Sequence, residues 1–204
     1  MPTDADGDLH GNVPDKAHTA LLIIDMISDF AFPGAEAMVP AASEAARRIQ
    51  TLKQRMKACG IPTIYVNDNF GKWQSDFRKL VATCLETSCP GRPIAALLTP
   101  EEDDYFVLKP KHSGFYATPL ELLLAFLGAR RLILTGLATN SCILYTAADA
   151  YMRHFALVVP ADCTVSTTSE SQHVILEHLK TMLKADIRPS DKLLLLNRME
   201  SPSR

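Results

Sequence analysis

No Cys-x-x-Cys pair occurs in this chain, and its five cysteines, Cys59, Cys84, Cys89, Cys142 and Cys163, form an odd and scattered set. Such spacing builds neither a disulfide framework nor a zinc cage. Nor does any apolar run approach the ~20 residues needed to span a bilayer. The longest, Ala20 to Ile24 and Leu120 to Leu127, are short, and the second is interrupted by Glu121. A long basic run is absent too, and the net charge is −2, so neither nucleic acid nor an anionic membrane is implied as a partner. The stretch 1–16 is acidic, rich in Gly and Pro, and lacks the basic start and apolar block of a secretory signal. The expectation is a loose arm ahead of a cytoplasmic protein.

What is present is enough apolar material for a core: 47% of 204 residues. A chain of this size folds as one domain by default, expected here over 17–198 with a frayed end at 199–204. Ala20 to Ile24 reads as a strand buried on both faces and ending in Asp25. Phe32-Pro33-Gly34 gives a turn, Val39 to Gly60 carries apolar residues at helical spacing, and Thr63 to Val66 is a second strand followed by a polar loop from Asn67 to Trp73. A helix near Asp76 to Leu85 and a proline-broken connection, Cys89 to Pro93, lead to a third strand, Tyr105 to Leu108, with Lys109 just past its end. Pro119 to Leu127 is a helix closed by Gly128, Leu132 to Leu134 a fourth strand, and Phe155 to Val159 a fifth closed by Pro160. Ser169 to Leu183 is a helix, and Ala185-Asp186-Ile187 a short sixth strand. Continuous apolar strands alternating with helices argue for an α/β fold, a mainly parallel sheet covered on both faces.

In open parallel sheets the site lies outside the carboxyl ends of the strands. Asp25, the Asn67 to Trp73 loop, Lys109 and Cys142 all fall there. Cys142 follows the turn Ala138-Thr139-Asn140-Ser141 and opens a helix, where unpaired N–H groups and the helix dipole favour a thiolate. Each residue also has a bland reading: Cys142 as buried filler, Asp25 as a solvated carboxylate or cap, Lys109 as a surface charge, Trp73 as core or interface. Together they make chemical sense. A thiol attacking an electrophilic carbon needs a group to take its proton and return it to the leaving amine, a part Asp25 can play. Lys109 beside both would lower the thiol pKa and keep Asp25 ionised, and the N–H groups of the turn would face the oxyanion. His112, in a turn, is read as solvated and given no role. A redox thiol and a catalytically dead scaffold are the readings from other classes, with Cys163 as the conceivable resolving cysteine.

Asp25 in LLIIDMISDF, Lys109 in VLKPKHSGFYATPLELLL and Cys142 in LTGLATNSCILYTAADAYMRHFALVVPADC together resemble the isochorismatase-like cysteine hydrolases, a family that includes nicotinamidases, N-carbamoylsarcosine amidases and ureidoacrylate-type amidases. The resemblance runs from about Ala17 to about Leu196. It implies a three-layer α/β/α, Rossmann-like sheet of six strands, a triad of Asp25, Lys109 and Cys142 acting through a thioester, and a homodimer or homotetramer. It also implies a cis Leu137-Ala138 peptide that turns the Ala138 N–H toward the same point as that of Cys142, so that Leu137, Ala138 and Cys142 frame an oxyanion hole.

Two departures narrow the expectation. Nicotinamidases hold a metal with Asp-x-His and further histidines, whereas the matching loop here reads Asp68-Asn69-Phe70, and no histidine lies between His18 and His112. No metal or other cofactor is therefore expected. Isochorismatases proper, which cleave a vinyl ether, lack this cysteine, so Cys142 favours a C–N bond in a small amide, carbamoyl or ureido compound, with vinyl ether hydrolysis as the alternative. Phe30 and Trp73 would wall the pocket and Asn69 would hydrogen-bond the substrate.

Overall fold

The computed structural model describes residues 16–69 and 76–193. Six strands, β1 (Thr19–Ile24), β2 (Thr63–Asp68), β3 (Tyr105–Lys109), β4 (Arg131–Leu137), β5 (Ala156–Val158) and β6 (Thr164–Val165), form one sheet in the order β3-β2-β1-β4-β5, with β6 beside β4. Every pairing is parallel. Strand β1 is buried along its whole length because its two faces serve two cores. Leu21 and Ile23 enter one, built with α1 (Ala35–Ala58), α2 (Phe77–Cys84) and α3 (Arg92–Leu97). Ala20, Leu22 and Ile24 enter the other, with α4 (Leu120–Leu127), α5 (Leu144–Met152) and α6 (Ser169–Met182). The period-2 strand thus has no polar face to show, as the continuous apolar run required. Helix α1 follows the same logic at its own period, burying Met38, Ala42, Ala45, Ile49, Leu52 and Met56 on one stripe. No helix of the described residues is long and apolar enough to cross a membrane.

Three of the differences from the sequence reading have a clear local reason. Helix α1 begins at Ala35 rather than Val39, since Pro40 lies near the helix start and removes only one backbone hydrogen bond. Helix α3 starts within the supposed connection; Pro93 sits in its first turn, where a missing N–H costs nothing. The sixth strand is Thr164–Val165, not Ala185 to Ile187. After Pro160 the chain makes a 3-10 turn, Ala161–Cys163, and re-enters beside Gly136 and Leu137 of β4, leaving residue 186 only an isolated bridge to Val158.

The strand order reverses at β1: the chain moves outward through β2 and β3, then returns to the other side of β1 as β4. The crevice this creates lies between the carboxyl ends of β1 and β4. There Gly136 has φ 110°, and a Cβ added to it would stand 2.0 Å from the Ile24 carbonyl oxygen. Only glycine lets the two strand ends pair this closely.

Candidate active site

Asp25 leaves β1 in the left-handed region, φ 52°, while its N–H still donates to the Val66 carbonyl at 3.0 Å. That twist turns its carboxylate across the strand ends. Oδ1 accepts the Asp68 N–H at 2.8 Å, and Oδ2 lies 2.9 Å from Lys109 Nζ. Lys109 is the last residue of β3, paired in register with Asp68, rather than the first residue beyond the strand. Two strand spacings, about 10 Å, separate β3 from β1. The long aliphatic arm of lysine spans them, and its ammonium is wholly buried. Nζ also stands 3.5 Å from Cys142 Sγ and 3.6 Å from Asp68 Oδ2. The structure therefore brings Asp25, Lys109 and Cys142 together, with Asp68 as a fourth member.

Cys142 lies in a π-helical turn, Thr139–Ile143, that runs into α5. The Ala138 carbonyl accepts from the N–H groups of both Ser141 and Ile143, and α6 braces the turn from the side. Thr139 Oγ1 donates to Gln172 Oε1 at 2.7 Å, Gln172 Nε2 donates to the Thr164 carbonyl at 3.0 Å, and Asn140 Nδ2 donates to Thr167 Oγ1 at 3.1 Å. The expected cis Leu137-Ala138 peptide is not formed. No cis bond occurs among the described residues, and Ala138 is ordinary extended backbone at φ −93°, ψ 145°. The physical reason is that Gly136 and the wide π-turn already redirect the chain, so nothing enforces a geometry that costs roughly 3 to 4 kcal/mol.

Electrostatics also revise the thiolate expectation. Burial, then the negative charge of Asp25, push the Cys142 thiol up to about 12, against the opposing pull of Lys109. Asp25 is likewise raised by burial, though Lys109 and a hydrogen bond with Cys142 act to lower it. Burial works against the Lys109 ammonium, but Asp25 and Cys142 together overcome that, and its pKa is raised. The resting cluster is thus a thiol hydrogen-bonded to a carboxylate that is ion-paired to an ammonium. The helix start and the lysine do not outweigh burial beside a carboxylate.

Of the expected substrate contacts, Phe30 is 4% exposed and packs in the core with its ring against the Gly91 backbone, so it presents little surface to a ligand. Its φ of 53° marks a left-handed turn between β1 and α1. Asn69 is buried, and its N–H donates to the Lys109 carbonyl at 3.0 Å. Trp73 lies outside the described residues. Two residues were not anticipated. His112 is exposed, yet its Nδ1 reaches 4.0 Å from Cys142 Sγ and its ring stacks on Tyr145 at 5.6 Å. Asp68 lies in the polar loop that the sequence places at the strand ends and compares with a metal motif, but that reading gives it no role of its own; its position at a strand end, like that of Lys109, is the available signal. Among the described residues no three His, Cys, Asp or Glu side chains gather as a metal-ligand set.

Comparison with known proteins places this geometry in context. The isochorismatase domain profile matches residues 19–187. An uncharacterised isochorismatase family protein, YaaI of Bacillus subtilis, is 37% identical over 179 residues, covering 88% of this chain and 98% of its own. The ureidoacrylate amidohydrolase RutB of Methylorubrum extorquens is 29% identical over 185 residues, covering 74% of this chain and 71% of its own. Among solved structures, an isochorismatase-like hydrolase from Alkaliphilus metalliredigens superposes with a TM-score of 0.69 at 27% identity, covering 86% of this chain and 96% of that one.

Proposed function

Because the chain belongs to the isochorismatase family of hydrolases, we propose that it is a metal-independent cysteine amidohydrolase, cleaving the C–N bond of a small amide, carbamoyl or ureido compound through a thioester on Cys142. One observation carries this reading: a single buried ammonium, Lys109 Nζ, lies 2.9 Å from Asp25 Oδ2 and 3.5 Å from Cys142 Sγ. Asp25 takes the thiol proton as sulfur attacks the carbonyl carbon, and Lys109 stabilises the thiolate that forms only at that moment. The oxyanion is received by backbone N–H of the first helical turn, that of Cys142 itself foremost. The tetrahedral species collapses to the thioester, and Asp25 returns its proton to the departing nitrogen. Asp25 then activates a water that attacks the thioester and releases the acid and the free thiol.

The thiol held up to about 12 speaks against the redox-sensor alternative, which needs a standing thiolate. Asn69 is the side chain proposed to hydrogen-bond the substrate. The working form is a cytoplasmic homodimer or homotetramer, to be measured by light scattering in solution. The decisive test is a panel of small amides, ureido acids and isochorismate, assayed with the native enzyme beside Cys142→Ala. Turnover of an amide that vanishes with the cysteine supports the thioester; amide hydrolysis that survives the substitution, or turnover of isochorismate alone, overturns it.

A further inference from the structure

The mechanism above leaves Asp68 without a task, yet the fold sets it beside the ammonium that Asp25 and Cys142 share. It ends β2, and its N–H is committed to Asp25 Oδ1 at 2.8 Å, so its side chain projects from a fixed strand end rather than from a loop. Its Oδ2 lies 3.6 Å from the same ammonium that Asp25 contacts at 2.9 Å. Side-chain exposure rises from 0% at Lys109 through 18% at Asp25 to 34% at Asp68. Asp68 is thus the outermost carboxylate of the cluster. Two carboxylates face one ammonium there, and the ammonium is drawn most closely to the inner one.

We propose that Asp68 selects substrates by charge, admitting small amides, ureas or carbamoyl compounds that are neutral or rich in N–H donors beside the scissile carbon and turning away those that carry a carboxylate there. A carboxylate is an acceptor only, so Asp68 can take N–H groups from a ureido or amino end. An anionic group in the same place meets a like charge in a partly desolvated crevice, the arrangement that discriminates between partners most strongly. The inference rests on Cys142 being the reacting group, but its test does not require the natural substrate.

Cys142 can be alkylated by iodoacetamide, which is neutral, or by iodoacetate, which is anionic and nearly the same size. The two rates are read on the Cys142 peptide of the full-length protein by mass spectrometry, with a free thiol in the same buffer as reference. The expected ratio of neutral to anionic rate exceeds that of the free thiol by about tenfold, and shrinks as salt screens the charge. In Asp68→Asn, which keeps the backbone N–H to Asp25, the excess falls by about fivefold or more, while Asp68→Glu retains it. A native ratio equal to that of the free thiol, or an excess that Asp68→Asn leaves unchanged, overturns the proposal. Because alkylation reads only the field at the sulfur, charge selection can stand when amide hydrolysis fails, and can fail when hydrolysis stands.

Discussion

Removing the charge of Asp25 should separate two properties of Cys142 that ordinarily travel together. Asp25 raises the thiol pKa, so Asp25→Asn lowers it, and alkylation by iodoacetamide at a fixed pH near 8 speeds up. Hydrolysis by the proposed mechanism moves the other way, falling by about 10²- to 10⁴-fold, because Asp25 is the group proposed to accept and return the proton. An alkylation rate that drops along with turnover would contradict the thiol–carboxylate resting state. Lys109→Met acts with the opposite sign on the sulfur: the one cation that lowers the thiol pKa is lost, and alkylation slows further. It also strands the Asp25 carboxylate, and urea denaturation should register a loss of about 3 to 5 kcal/mol. Sequence reasoning named these three residues because strand ends can be located from apolar runs. It misjudged the thiol because burial depends on what surrounds the turn, and no spacing reports that. His112 was passed over for the same reason: a turn residue looks solvated until the fold sets it beside a sulfur.

At the scale of elements, the turn that carries Cys142 depends on supports that are far away in sequence. Gln172 in α6 both receives the Thr139 hydroxyl and donates to Thr164, so Gln172→Ala removes the brace that holds the π-turn against β6. The expected stability loss is about 1 to 3 kcal/mol, with kcat falling more than KM rises, measured by steady-state kinetics beside denaturation. Gly136→Ala forces a Cβ to within 2.0 Å of the Ile24 carbonyl oxygen at φ 110°. It should cost about 3 kcal/mol or more, by parting the ends of β1 and β4, and a denaturation midpoint within error of the native one would refute the close pairing. The long helices were legible from their apolar stripe, and β1, β2 and β4 because burial on two faces leaves a continuous apolar run; β3 and β5, with Phe106 and Ala156 exposed, were legible only as short apolar stretches. The two-residue β6 was not: Thr164 and Val165 carry no such run and are a strand only because β4 extends past β5. The cis peptide failed likewise, since whether a peptide is forced out of trans depends on the glycine and the wide turn on either side of it.

For the molecule as a whole, the buried thiols tie stability to alkaline pH. Cys84, Cys142 and Cys163 are each pushed up to about 12, burial being the largest cause in all three. A raised folded-state pKa means that the native form keeps protons that the unfolded chain gives up. Their contribution is therefore complete below the ordinary thiol range and is lost as pH rises from about 9 toward 12. Urea midpoints should decline through that window, and replacing Cys84 with Ala should flatten the decline; a midpoint constant from pH 8 to 11 would rule this out. Lys109 adds a kinetic consequence. It is rooted on β3, at the edge of the sheet, yet it works at the ends of β1 and β4. A chain whose inner strands have paired but whose edge strand is still undocked would hold Cys142 and Asp25 without their shared cation. During refolding, then, the reactivity of this sulfur acts as a clock, reaching its native value only when the last strand closes the sheet.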